Sequence, residues 1–77
     1  MPHVNIKLYP GRTHEQKQAL TQLIIEAIDD TLGVGSKYVT VAFEEIPQEA
    51  WHDQVVKPEL EDKKALLYKH PQYLTDD

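Results

Sequence analysis

The sequence predicts an α+β fold in which a β-α-β unit is followed by a C-terminal helix. Residues 2–9 alternate between apolar and polar side chains, as in a strand with one buried face. Residues 14–32 carry apolar side chains at helical spacing, and residues 38–46 are rich in β-branched and aromatic types. A helix that joins two strands of one sheet normally makes them parallel, so we expect a right-handed crossover.

Local signals set the ends of the first strand and of the long helix. The first strand ends at the turn pair Pro10-Gly11. Thr13 and Gln16 have the spacing of a capping box, in which a threonine N-cap and a glutamine three residues later bond to each other's backbone. Gly33 ends the helix, because glycine accepts the left-handed conformation that follows a helix.

The C-terminal part is predicted to form a second helix. Pro47 ends the second strand. Lys57-Pro58 suits a helix start with proline in the first position, so we predict a helix over residues 57–69 that ends at His70-Pro71. The tail to Asp77 is expected to be loose.

The size of the chain predicts a single domain, residues 1–77, that needs a partner. A monomer of this length buries only about 60% of the surface that its unfolded chain exposes. The sequence has no cysteine, so no disulfide and no thiolate metal site can stabilise it. Two strands and one helix are too few to stand alone. We therefore expect the sheet to be extended across an oligomer.

Charge and composition exclude several classes of function. The net charge of −5 argues against a nucleic-acid or anionic-membrane surface, which would need a basic stripe. No apolar run approaches the roughly 20 residues of a membrane span, and no secretory signal is recognisable, so a cytoplasmic location is expected. The histidines lack metal-ligand spacing, which predicts no metal; they are His3, His14, His52 and His70.

Pro2 is the most unusual candidate residue. Methionine aminopeptidases favour a small second residue, so removal of Met1 is expected to leave Pro2 with a secondary amine at the start of a strand. An ordinary α-amino group titrates near ~7.7–8.0, and an apolar pocket lowers that value. The neutral amine suits proton abstraction next to a carbonyl, or nucleophilic attack that forms an iminium.

The stretch P-H-V-N-I-K-L-Y-P-G-R-T-H-E-Q-K, with the helix and strand that follow, resembles the 4-oxalocrotonate tautomerase family. The resemblance covers residues 2 to about 51. The segment 46–51 and the added C-terminal helix are more similar to the dimeric branch of that family. The resemblance implies a cofactor-independent keto–enol tautomerase that acts on enol forms of 2-keto acids. It also implies a homodimer, with a hexamer as the second choice.

The resemblance assigns roles to four residues. Pro2 matches the family's general base and acid, and Arg12 matches the arginine that binds a substrate carboxylate. Trp51 matches the aromatic wall that lowers the pKa of the proline. Thr40 stands where the family carries a second arginine, which polarises the 2-carbonyl oxygen; its loss can cost a factor of about 10² or more, which favours a monoacid or an aryl 2-keto acid. Thr40 or Tyr38 is an alternative hydrogen-bond donor there.

The positions of Pro2 and Arg12 predict a shared site. They lie at opposite ends of the first strand, about 25 Å apart at ~3.3 Å per residue. One small substrate cannot touch both in one chain, so Arg12 is expected to come from a neighbouring subunit.

Other interpretations of the same residues remain open. The scaffold also supports dehalogenation or decarboxylation, for which Glu44 or Glu45 would have to supply a further carboxylate. A non-enzymatic dimeric binding protein, with an incidental Pro2, is the third hypothesis. Each residue also has a structural interpretation of its own: Arg12 is a solvated turn residue, Trp51 fills the core or an interface, and His3 faces solvent or a partner.

Overall fold

The computed structural model describes residues 1–74, and the chain forms two compact units. The first is Met1–Glu45, and the second begins at Ile46. The first unit contains strand β1 (His3–Leu8), helix α1 (His14–Leu32) and strand β2 (Thr40–Glu45). A short 3₁₀ turn, Ser36–Tyr38, precedes β2. The predicted α+β fold and its β-α-β unit are confirmed.

The two strands form a parallel sheet, as predicted. His3 is the register partner of Thr40, Ile6 of Phe43, and Leu8 of Glu45. Because side chains alternate along a strand, each face of the sheet has its own character. The polar face carries His3, Asn5, Lys7, Thr40, Ala42 and Glu44, and the apolar face carries Val4, Ile6, Leu8, Val41, Phe43 and Glu45. Helix α1 lies on the apolar face, where Lys17 reaches Glu45.

Helix α1 has the predicted ends. The Thr13 hydroxyl oxygen accepts a hydrogen bond from the Gln16 backbone N–H at 3.1 Å, and Gln16 Oε1 accepts one from the Thr13 N–H at 2.8 Å. Gly33 has a φ of 69°, and its N–H donates to the carbonyl of Asp29 at 2.9 Å. The helix is therefore closed at both ends by its own sequence.

Removal of the capping hydroxyl should destabilise the fold. We expect Thr13→Ala to lower the free energy of unfolding by about 1 kcal/mol, because the Gln16 N–H loses its acceptor. Chemical denaturation at fixed protein concentration measures this loss. Thr13→Ser keeps the hydroxyl and should stay close to wild type. Equal stability of the alanine and serine variants would contradict the role of the cap.

The second unit corrects the predicted C-terminal helix. Its main element is a π-helix, His52–Glu61, so the predicted bounds of 57–69 are wrong at both ends. Pro58 lies inside this helix and not at its first position. In an α-helix the proline ring would clash with the carbonyl four residues earlier, so Pro58 disfavours regular α-helical spacing here. Short 3₁₀ turns occur at Gln48–Ala50, Lys64–Leu66 and Gln72–Leu74.

The π-helix carries two of the buried residues of the second unit, and an ion pair lies at its end. Val55 and Val56, on the π-helix, are only 5% and 3% exposed, and Ile46 is 2% exposed. At the helix end, Lys57 Nζ donates a hydrogen bond to Asp62 Oδ1 at 2.9 Å. This bond and the carboxylate charge raise the pKa of Lys57 above its ordinary value. Of the tail expected to be loose, residues 75–77 lie outside the described residues.

Helix α1 leaves part of its apolar surface open. No residue of the range 1–45 is buried. One stripe of the helix is half-buried: Lys17, Thr21, Ile24, Ile25 and Ile28. The neighbouring stripe, which we call the open leucine face, consists of Leu20, Leu23 and Ala27; the two leucines are 41% and 62% exposed.

Across residues 1–74, no helix combines the length and the apolar character that are needed to cross a membrane.

Candidate active site

Pro2 and Thr40 lie next to each other at the start of the sheet. The Thr40 backbone N–H donates to the Pro2 carbonyl at 3.2 Å. Pro2 is half-buried, whereas the side chain of Met1 is 94% exposed. The parallel pairing of β1 with β2 therefore places Thr40 beside Pro2, the residue predicted to supply the base.

His3 holds the Thr40 side chain. His3 Nδ1 and Thr40 Oγ1 lie 2.6 Å apart on the exposed polar face. When Nδ1 carries the proton, the ring donates to the hydroxyl oxygen and leaves the hydroxyl hydrogen free to donate to another acceptor. With the other tautomer, the hydroxyl donates to the ring. Tyr38, the alternative donor, lies in the 3₁₀ turn, with Lys37 Nζ 5.0 Å from its ring centroid.

Glu44 and Glu45, either of which could supply the further carboxylate of the alternative reactions, each have a partner. Glu44 Oε1 accepts a hydrogen bond from Asn5 Nδ2 at 3.2 Å on the polar face. Glu45 Oε2 lies 2.8 Å from Lys17 Nζ on the apolar face. The two carboxylates point to opposite sides of the sheet, because consecutive strand residues alternate.

Arg12 lines a cavity at the other end of the sheet. The cavity has a volume of about 180 Å³ and is lined by Leu8, Arg12, Gln16, Lys17, Leu20 and Phe43. Leu8, Leu20 and Phe43 supply the apolar part of this lining, which we call the floor, and Arg12, Gln16 and Lys17 supply the polar part. Gly11, with a φ of 123°, precedes Arg12 in a conformation that favours glycine. We call this cavity the Arg12 pocket.

The two cations that line the Arg12 pocket, Lys17 and Arg12, differ in whether a carboxylate is paired with them. The Lys17 ammonium is paired with Glu45, and their side chains are 25% and 41% exposed. The Gln16 amide is engaged in the helix cap. Within residues 1–74, no carboxylate lies within ion-pair distance of the Arg12 guanidinium. The free cation of the pocket is therefore the group best suited to bind a ligand carboxylate through a bidentate fork.

The structure does not bring Pro2 and Arg12 together within one chain. Pro2 precedes β1 and Arg12 follows it. The strand between them spans about 20 Å at ~3.3 Å per residue. Each end of the strand thus carries one part of the predicted site.

Trp51 lies in the second unit, directly before the π-helix. Its indole ring is half-buried, and Nε1 donates to the Tyr73 hydroxyl at 3.2 Å. Tyr73 was not singled out from the sequence, since 22 residues separate the two rings. Among residues 1–74, no cluster of three or more metal-ligating side chains is found.

Sequence reasoning also missed the Lys17–Glu45 pair, although two signals were present. Glu45 continues the alternation of Val41 and Phe43, so its carboxylate falls on the apolar face of β2. Lys17 follows the N-cap of α1 by one turn. A charged residue on an apolar face usually has a partner of opposite charge.

Comparison with known proteins shows the family of this chain. A family model described as "Tautomerase enzyme" matches residues 2–61. A "Probable tautomerase" of Xylella fastidiosa (strain 9a5c) is 37% identical over 73 residues, which cover 95% of this chain and 89% of that protein. A "2-hydroxymuconate tautomerase" of Bacillus subtilis (strain 168) is 39% identical over 46 residues, covering 60% of this chain and 75% of that protein.

A solved structure shares the fold. The crystal structure of YwhB, a homologue of 4-oxalocrotonate tautomerase, is similar with a TM-score of 0.58 and 36% sequence identity. The match covers 61% of this chain and 77% of that one. The family model spans most of the sequence, and a relative is similar over almost its whole length. The chain therefore belongs to the tautomerase family and is an isomerase.

Proposed function

We propose that this tautomerase ketonises enol forms of 2-keto acids without a cofactor. The observation that carries the proposal is the Arg12 guanidinium, which has no carboxylate partner among residues 1–74 and lines the same pocket as Leu8, Leu20 and Phe43. A 2-keto acid with an apolar body needs these two features, a cation for its carboxylate and an apolar surface for the rest. The cavity suits a small acid, since a cavity of about 150 Å³ already accommodates benzene.

Pro2 is the proposed base and acid. Its role requires loss of Met1, and two observations support this: the family model match begins at residue 2, and Met1 is 94% exposed. The neutral amine takes the proton of the enol hydroxyl, and the oxygen electrons form the carbonyl. The electrons of the carbon–carbon double bond then take the proton from the ammonium at the neighbouring carbon, which restores the amine.

Thr40 is the proposed donor to the developing enolate oxygen. It lies beside Pro2, and a proton on His3 Nδ1 would leave the Thr40 hydroxyl hydrogen free. A neutral hydroxyl stabilises an oxyanion less than a guanidinium does. This favours monoacids and aryl 2-keto acids over the family's dicarboxylate substrates. Trp51 is the proposed apolar wall, since an aromatic ring that excludes water favours the neutral form of an amine.

The site is proposed to form between two copies of the chain, in a homodimer, with a hexamer as the second choice. Pro2 and Arg12 lie at opposite ends of β1, so one substrate can reach both only across a subunit boundary. The open leucine face is an apolar surface that a second copy could cover. No residue in the range 1–45 is buried within one chain, so this unit still has apolar side chains to bury.

Loss of the guanidinium should weaken substrate binding. We expect Arg12→Gln to lower kcat/KM for enol-phenylpyruvate by about 10- to 100-fold, mainly through KM, since a charge-assisted hydrogen bond contributes about 1.5–3 kcal/mol. A spectrophotometric ketonisation assay, on protein whose intact mass shows that Met1 is absent, measures this change.

The lysine variant is the matched control. Arg12→Lys keeps the charge and loses the fork, so its kcat/KM should fall between wild type and Arg12→Gln. Arg12 is the chain's only arginine, so no second guanidinium can replace it. An unchanged KM in Arg12→Gln would contradict the role of the Arg12 pocket.

A further inference from the structure

We propose that Glu45 determines substrate specificity by keeping Lys17 occupied. The Arg12 pocket then offers one free cation and selects acids with a single carboxylate over dicarboxylates. This inference rests on the proposed function and adds to it a residue, Glu45, and a second physical reason for the preference for acids with a single carboxylate.

The geometry places the ion pair at the wall of the pocket. Lys17 lines the cavity, and its Nζ lies 2.8 Å from Glu45 Oε2. Glu45 is the register partner of Leu8, and Leu8 belongs to the apolar floor. The carboxylate therefore contacts a residue that lines the pocket, and it lies on the same face of the sheet as Leu8 and Phe43.

The charges decide how many carboxylates the pocket accepts. Among residues 1–74, the cavity is lined by two cations, Arg12 and Lys17, and Glu45 pairs with Lys17, which leaves one positive charge for a ligand. A second ligand carboxylate would have to displace Glu45 from Lys17 and then lie beside a like charge. If it instead lay on the floor of Leu8, Leu20 and Phe43, it would lose water without gaining a partner.

The Lys17–Glu45 pair is exposed enough for Lys17 to bind a ligand carboxylate once the carboxylate of Glu45 is removed. The Lys17 and Glu45 side chains are 25% and 41% exposed, and a pair this exposed contributes little to stability. Replacement of Glu45 should therefore leave the fold intact and free the lysine. Glutamine matches glutamate in shape and can still accept a weaker hydrogen bond from Lys17.

Glu45→Gln tests the inference. We expect the ratio of kcat/KM for 2-hydroxymuconate, a dicarboxylate, to kcat/KM for enol-phenylpyruvate to rise roughly tenfold, about one charge-assisted hydrogen bond. The change should lie in KM. Glu45→Asp, which keeps the carboxylate, should stay closer to wild type. The double variant Lys17→Gln/Glu45→Gln should lose the gain, because no second cation is left.

A second variant moves the ratio in the opposite direction. Lys17→Gln leaves the Glu45 carboxylate unpaired beside the pocket, so it should lower the ratio below that of wild type. If circular dichroism shows that Glu45→Gln does not fold, the Lys17→Gln variant tests the inference instead. An unchanged ratio in a folded Glu45→Gln, or in Lys17→Gln if that variant alone folds, would overturn the inference.

Equilibrium binding separates this inference from the proposed function. If wild type turned over neither substrate, the proposed function would fail. Calorimetric titration with adipate and with 3-phenylpropionate would then still report on the pocket. A gain of adipate affinity relative to 3-phenylpropionate in Glu45→Gln would support the role of Glu45, and equal relative affinities in both proteins would refute it.

Discussion

Pro2→Ala is expected to lower kcat for ketonisation of enol-phenylpyruvate by at least about a hundredfold, the usual contribution of a positioned general base. After loss of Met1, alanine also presents an amine, but a primary one that rotates freely. The pyrrolidine ring instead holds the proline nitrogen in place. The hydrogen bond from the Thr40 N–H to the residue-2 carbonyl is retained, so the fold should not change.

Protein that retains Met1 is the matched control. Its residue-2 nitrogen is an amide without a basic lone pair, so this form should be inactive although every side chain is present. Intact mass separates the two forms, and circular dichroism verifies the fold of Pro2→Ala. Full turnover by Pro2→Ala or by the methionine-bearing form would exclude Pro2 as the base.

The second large effect is expected at the open leucine face. Leu23 is 62% exposed on α1, beside Leu20 and Ala27. We expect Leu23→Glu to separate the subunits and to abolish turnover, because a carboxylate cannot be buried there without a partner. Sedimentation velocity reports the mass and the ketonisation assay reports the activity. Gln18→Glu adds the same charge at an exposed polar position of the same helix and should change neither.

Mixing inactive subunits tests whether the site is shared. In a dimer whose sites each combine Pro2 of one copy with Arg12 of the other, a Pro2→Ala subunit paired with an Arg12→Gln subunit forms one intact site. An equal mixture, unfolded and refolded together, should recover about a quarter of wild-type activity. No recovery beyond the sum of the separate variants, or full activity of a Leu23→Glu monomer, would show that one chain holds the whole site.

Strong local signals made the first unit predictable. Thr13, Gln16 and Gly33 cap the helix through hydrogen bonds to residues no more than one turn away. The bounds of α1 therefore follow from local sequence alone. The alternation of β1 likewise needs no distant contact. The C-terminal helix was different. The rule that places proline at a helix start is local, whereas the burial of Val55 and Val56, just before Pro58, depends on tertiary packing.

The site divides in the same way. The sequence by itself determined the chemical groups, namely Pro2, Arg12 and the threonine at position 40, and it placed Pro2 and Arg12 at opposite ends of one strand. Tertiary structure decided which groups meet. His3 meets Thr40 across 37 residues and Lys17 meets Glu45 across 28, and both contacts depend on how the strands and α1 assemble. Side-chain chemistry is a property of each residue, whereas a contact between distant residues forms only when the strands pair in register and α1 packs against them.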